Sequence, residues 1–189
     1  MEAFLVSTGV VALAEFGDKS QLFVLALATT FRKPVPIILG MFVAILLNHT
    51  AAAAAGVWLA SILGPLAMRW ILGLSFVAIG VWTLLPDKIE QRAQQAPRLG
   101  VFGTTLIFCF LLEMGDKTQF ATIALAAKYG SLLAVISGST AGIMLADIPV
   151  ILLGASAAEK LPMKSVRKFA PAIFMIIGAA ILCGAGFGK

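Results

Sequence analysis

Glu15-Phe16-Gly17-Asp18-Lys19-Ser20-Gln21 returns 98 residues later (113 − 15) as Glu113-Met114-Gly115-Asp116-Lys117-Thr118-Gln119, and each copy lies inside a long apolar run. The same offset, without a gap, pairs Phe4 with Phe102, Leu27 with Leu125, Gly40 with Gly138, Gly56 with Gly154, Arg69 with Arg167, Phe76 with Phe174 and Gly80 with Gly178. Two oily segments that resemble each other by chance do not keep register so far, so the chain carries an internal repeat. It divides into residues 1–85, a polar linker 86–100 containing Asp87, Lys88, Glu90, Arg92 and Arg98, and residues 101–189.

The 189 residues are 60% hydrophobic and 12% charged, with a mean hydropathy of +1.02. A soluble domain of this size would expose large apolar patches at that composition, so the solvent is the bilayer. A helix needs roughly 20 mostly apolar residues to cross about 30 Å of hydrocarbon. Such stretches run near Ala3 to Thr30, Pro36 to Leu63, Ala67 to Leu85, Val101 to Ala127, Ser131 to Ala157 and Phe169 to Phe187. They are too long, and alternate too little, to be barrel strands. The expected fold is an all-α integral membrane protein with six transmembrane helices in two three-helix repeats. Three spans is an odd number, so the second copy enters from the opposite side and the repeats are inverted. Secondary transporters use this arrangement, with their substrate site near the midplane between repeats.

The net charge of +5 sits in short loops and reads as topology rather than as a nucleic-acid face. Arg32, Lys33, Lys88, Arg92, Arg98, Lys160, Lys164, Arg167 and Lys168 fall on one side, and only Arg69, Lys128 and Lys189 on the other. The positive-inside rule makes the first side cytoplasmic, together with the linker, and puts both termini outside. Ala12-Leu13-Ala14 looks like a signal-peptide cleavage site, but Glu2 and the lack of any preceding Lys or Arg argue against it. Cys109 and Cys183 form no Cys-x-x-Cys pair and are expected to be buried small residues, which disfavours a redox enzyme.

Glu15, Asp18, Glu113 and Asp116 fall at mid-span, and with Lys19 and Lys117 they would cost on the order of 15 to 20 kcal/mol if left unpaired in lipid. They must be paired, hydrated or ligated. On a continuous helix Glu15 and Asp18 share a face, as do Glu113 and Asp116, and Gln21 and Gln119 continue it. Gly17 and Gly115 remove bulk beside the acids, permitting a close crossing or a local unwinding. If the repeats converge, four carboxylates with Ser20, Thr118, Gln21 and Gln119 form an oxygen-rich cage of the kind hard divalent ions prefer. Four acids and two lysines leave −2, which one divalent ion or two protons would neutralise. Competition for the same groups is the minimum machinery of proton-coupled antiport. The plain alternative is an ion-pair cluster, with Glu15–Lys19 and Glu113–Lys117 bridges one turn apart. That would leave both aspartates unpaired, and either way the lysines are expected to balance charge.

The second and fifth spans add Asn48, a further oxygen ligand or an interior polar group, and Asp147, a ligand or proton carrier or else a buried hydrogen-bonded acid. His49, which the repeat places opposite Asp147, is either a proton shuttle or a satisfied interior group. Asp18 and Asp116 are the other candidate proton carriers. Met144 shares a face with Asp147, where a thioether would favour Mn2+ over Ca2+.

Two Glu-x-Gly-Asp-Lys-(Ser/Thr) motifs, Glu15 to Ser20 and Glu113 to Thr118, resemble the paired motif of a cation/proton antiporter family once called uncharacterised protein family 16. The family includes Golgi Mn2+/Ca2+ transporters and bacterial manganese exporters. The resemblance covers essentially the whole chain. It implies export of Mn2+, or of Ca2+, in exchange for protons, with Glu15, Asp18, Glu113 and Asp116 as the metal site, no bound cofactor and no enzymatic activity. The short linker and the lack of a targeting extension are similar to bacterial members, hence a multi-pass protein of a prokaryotic plasma membrane. An exporter of organic cations such as basic amino acids, and a passive divalent-cation channel, are the rival readings. Oligomeric state is not legible.

Overall fold

The computed structural model describes residues 1–84, 99–154 and 163–184, and for residues 163–168 the backbone alone. Leu85, linker residues 86–98, Lys160 and Lys189 therefore lie outside the described residues, as do the side chains of Lys164, Arg167 and Lys168. Among the described residues all regular structure is helical. The described residues form eight helices: α1 Glu2–Glu15, α2 Lys19–Phe31, α3 Pro34–Ile62, α4 Pro65–Leu84, α5 Gly100–Glu113, α6 Lys117–Tyr129, α7 Leu132–Leu153 and α8 Met163–Leu182.

Three of them, α3, α4 and α7, are long and apolar enough to cross a membrane. Pro34 and Pro65 open α3 and α4, where a missing N–H costs no helical bond. The expected first and fourth spans are each two helices rather than one. α1 stops at Glu15 and α2 restarts at Lys19, and α5 and α6 divide in the same way at Glu113 and Lys117. At 13 residues, α2 and α6 are each about 20 Å long, too short to span on their own. The corresponding positions Arg32 and Gly130 end these helices in the same left-handed conformation.

Packing interleaves the two halves of the chain. The most extensive interfaces join α4 to α8, α1 to α7, and α3 to α5 and α6, so neither half is a separately packed body. Their contacts repeat at the offset read from the sequence. A Cβ on Gly40 would stand 2.6 Å from the Phe102 carbonyl oxygen, and one on Gly138 2.5 Å from that of Phe4. Gly73 and Gly178 abut each other's carbonyls in the α4–α8 interface, beside Phe76 and Phe174, whose rings stack 6.2 Å apart. Backbones this close gain dispersion and weak polar contacts in a solvent as apolar as the side chains. The expectation for Cys183 fails: Cys109 is buried, but Cys183 lies one residue beyond the end of α8 and is exposed.

Candidate ion-binding site

The repeated motif builds the two helix breaks residue by residue. Glu15 is the last residue of α1, and Phe16 N–H still reaches the Ala12 carbonyl at 3.3 Å. Gly17 then turns to φ +77, as Gly115 does to +76, a conformation that costs a side-chain-bearing residue about 1–2 kcal/mol. Asp18 and Asp116 are extended and occupy the N-cap positions of α2 and α6 without a side-chain capping bond, placing a carboxylate at the positive end of each helix dipole. From the first turn of each helix, Gln21 Oε1 accepts the Gly17 N–H at 3.0 Å and Gln119 Oε1 accepts that of Gly115 at 2.7 Å. The Ser20 hydroxyl donates to the Glu15 carboxylate, and Thr118 donates to Glu113 at 2.8 Å, stapling each break shut.

Two expectations change as a result. A face shared by Glu15 and Asp18, or by Glu113 and Asp116, assumed continuous helix, and the breaks remove it. The lysines' close ion pairs also differ from the expected bridges to the glutamates one turn away, where the break intervenes. They cross between the halves instead: Lys117 Nζ lies 2.9 Å from Asp18, and Lys19 Nζ 2.9 Å from Asp116. Asp18 and Asp116 are 0% and 2% exposed, so each is held in an interior ion pair.

The amide residues are also engaged. Gln21 Nε2 donates to the Ala146 carbonyl at 3.0 Å, and Gln119 Nε2 to Asn48 Oδ1 at a long 3.4 Å. Asn48 Nδ2 donates to the Phe110 carbonyl at 2.9 Å, tying α3 to the end of α5. The oxygens expected as metal ligands from Gln21, Gln119 and Asn48 therefore accept protein hydrogen bonds in this state. His49 is fully buried, with Nδ1 2.8 Å from Thr122 Oγ1. Thr122 also approaches Ser139 at 3.0 Å and the Thr118 carbonyl at 2.9 Å.

With both aspartates paired, the interior acids without a lysine or arginine at ion-pair distance among the described residues are Glu15, Glu113 and Asp147, all at most 1% exposed. They lie within electrostatic reach of one another. Neither Asp147 oxygen takes a well-formed hydrogen bond, although Gln21 stands beside it. The four motif carboxylates do not close into one cage: among the described residues, no three His, Cys, Asp or Glu side chains stand close enough to hold a metal together. Cation–anion pairing has separated the motif into two ion pairs and a more open set of acids.

Residues not foreseen as neighbours of the site are Thr122, Ser139 and Cys109. Cys109 is buried within reach of Glu15, Glu113 and Asp147. The signal was present: Cys109 is one turn before Glu113, and Thr122 one turn after Thr118, which puts each on the face of its motif neighbour. The breaks were signalled too. Asp18-x-x-Gln21 and Asp116-x-x-Gln119 have the spacing of a capping box and mark a helix start inside the apolar run.

A helical membrane protein with broken helices meeting at buried acids has the make-up of an ion transporter. The chain belongs to the family described as the divalent cation/proton antiporter GDT1, which matches it over residues 3–91 and 101–188. It is 42% identical to a candidate manganese exporter of Vibrio cholerae over 181 residues, 95% of this chain and 90% of that one. More distant relatives are plastid proteins. One is the PAM71-homolog of Arabidopsis thaliana, 28% identical over 57% of this chain and 30% of its own. Another is GDT1-like protein 1 of Oryza sativa, 38% identical over 42% of this chain and 23% of its own. No solved structure matches the chain. The family consists of cation transporters, not enzymes.

Proposed function

We propose that the protein exports a divalent cation, Mn2+ foremost, from the cytoplasm of a prokaryote in exchange for protons. In this reading α1 with α2 and α5 with α6 each make one interrupted span. Together with α3, α4, α7 and α8 they give six spans in two inverted repeats, with the linker cytoplasmic and both termini outside. The observation that carries it is the charge arrangement at the breaks: Glu15, Glu113 and Asp147 are buried with no lysine or arginine at ion-pair distance among the described residues, beside two aspartate–lysine pairs. Carboxylates in such a place need a counter-ion, and either a proton or a metal supplies it. Mn2+ loading from one side would draw Asp18 or Asp116 off its lysine and toward the glutamates. Protons arriving from the other side would restore the ion pairs. Asn48, Gln21 and Gln119 would contribute oxygens after releasing their present partners, with Asp147 and His49 in the proton path. Manganese rather than calcium is supported by the name of the Vibrio relative.

Proteoliposomes loaded with a pH-sensitive dye test this directly. Mn2+ added outside should drive protons out against their resting distribution, with Ca2+ weaker and Mg2+ weaker still. Glu113→Gln should abolish the flux while the protein still purifies folded. Metal flux that follows voltage and ignores pH would mean a channel, and proton flux driven by arginine or lysine would mean an organic-cation exporter.

A further inference from the structure

The two halves share the motif's hydrogen bonds and crossed ion pairs at the helix breaks but differ at the far ends of the helices. Gly56 on α3 and Gly154 at the end of α7 occupy corresponding positions. A Cβ on Gly56 would overlap the Ile123 carbonyl oxygen and stand 3.0 Å from Ala126 Cβ, so α3 and α6 are in backbone contact there. At Gly154 the described residues offer only Thr29 Cγ2, 3.9 Å away. α7 and α2 are instead separated by a cleft of about 490 Å3, lined by Ala28, Thr29, Arg32, Pro34, Ile151 and Gly154 among others.

Two further inequalities follow the same division. Thr29 in the cleft is exposed, whereas its counterpart Ala127 is 8% exposed. Lys19 at the head of α2 is 29% exposed, and Lys117 at the head of α6 only 5%. On the packed side the Tyr129 hydroxyl donates to Glu2 at 3.2 Å, joining the end of α6 to the start of α1. The corresponding residues are Phe31 and Gly100, which can make no such bond.

We propose that α2 and α6 are alternating gates, and that Gly56 and Gly154 are the points on which they dock. In the state described here α6 is shut on α3, while the far end of α2, beyond the Gln21–Ala146 bond, stands away from α7. In the opposite state α2 shuts on α7, with Leu25 and Ala28 meeting Gly154 as Ile123 and Ala126 now meet Gly56, while α6 leaves α3. A gate made by backbone approach needs glycine at the point of contact. Tyr129 and Glu2 form a latch on one gate alone, so the chain favours the state in which that gate is shut. The proposal rests on the antiport reading above, which requires the site to open to one side at a time by alternating access, and gives it moving parts. It leaves the interfaces of α1 with α7 and of α4 with α8 intact.

The test uses single cysteines at Thr29→Cys or Ala127→Cys in the full chain carrying Cys183→Ala, with buried Cys109 kept as a sentinel of folding. Labelling by a water-soluble thiol reagent in nanodiscs should be fast at position 29 and slow at position 127. Gly154 ends α7 at φ +56, where any side chain is strained in either state, so the perturbation is made at Gly56. Gly56→Ala should raise labelling at 127 by about threefold or more and lower it at 29 correspondingly, as a population shift requires. Tyr129→Phe should move both reporters the same way by less, and it decides the matter if Gly56→Ala exposes Cys109. Neither reporter moving in either variant would overturn the gates and leave the transport reading standing. Both rising together would indicate a pore and sink alternating access as well. Reciprocal labelling in a protein that exchanges no metal for protons would uphold the gates and defeat the assignment of the ions.

Discussion

Each residue of the motif has a separable physical task, and the exchange of lysines between its two copies makes those tasks testable. Lys117→Met leaves Asp18 charged and fully buried without the partner 2.9 Å away, and should lower stability by about 3–5 kcal/mol. Adding Asp18→Asn should recover most of that loss, since a neutral pair no longer needs the charge, but should not recover transport. Lys19→Met should cost less, because Lys19 is 29% exposed and water can reach the group left behind. Thermal unfolding in detergent checks the order, and equal losses from the two lysines would count against the difference in burial. The sequence located the acids and the lysines, and it contained the Asp-x-x-Gln caps that announce the breaks. It could not give the pairing. Lys19 is nearer in sequence to Glu15 than to Asp116, and only the way the two breaks face each other makes Asp116 its partner.

Between helices, the distance of closest approach is set at a few glycines, and these divide cleanly by environment. Gly40→Ala and Gly138→Ala push a Cβ to within 2.6 Å and 2.5 Å of a neighbouring helix's carbonyl oxygen, and each should cost about 1–3 kcal/mol by forcing α3 from α5 or α7 from α1. Gly9 lies within α1 with nothing in 4 Å of its missing Cβ. Gly9→Ala should therefore raise stability by about 0.4–1 kcal/mol, by removing backbone freedom from the unfolded chain. Melting temperatures of the three variants check both signs, and a stabilised Gly40→Ala would refute the close α3–α5 crossing. The sequence register had already matched Gly40 with Gly138. What it could not supply was the partner. Hydropathy marks a run as fit for lipid whether or not the helix inside it is continuous, so the first and fourth spans read as single helices. The caps within them spoke too locally to be heard against some 25 apolar residues.

At the scale of the molecule, the register of the two similar segments was readable from the sequence, but the interleaving of the two halves was not, because an apolar face does not name the face it will cover. The interleaving has a consequence for assembly. α1 packs on α7, α3 on α5 and α6, and α4 on α8, so a half expressed alone lacks the partner of nearly every face it would bury. Residues 1–85 or 101–189 alone should therefore yield aggregated or degraded protein. Produced together as two chains, they should copurify in equal amounts and recover Mn2+-dependent proton flux, because the extensive interfaces among the described helices join one half to the other rather than depend on the linker. A half that purifies alone as a folded, monodisperse species and does not capture the other would mean that packing within each repeat, not between them, holds the molecule together. An intermediate outcome is informative in the same terms. A half that is stable only as a pair of identical copies would be using its own helices in place of their counterparts, which requires the two copies to insert in opposite orientations. Cysteine accessibility from each side of the membrane would then detect both orientations of one sequence, the direct physical signature of an inverted repeat.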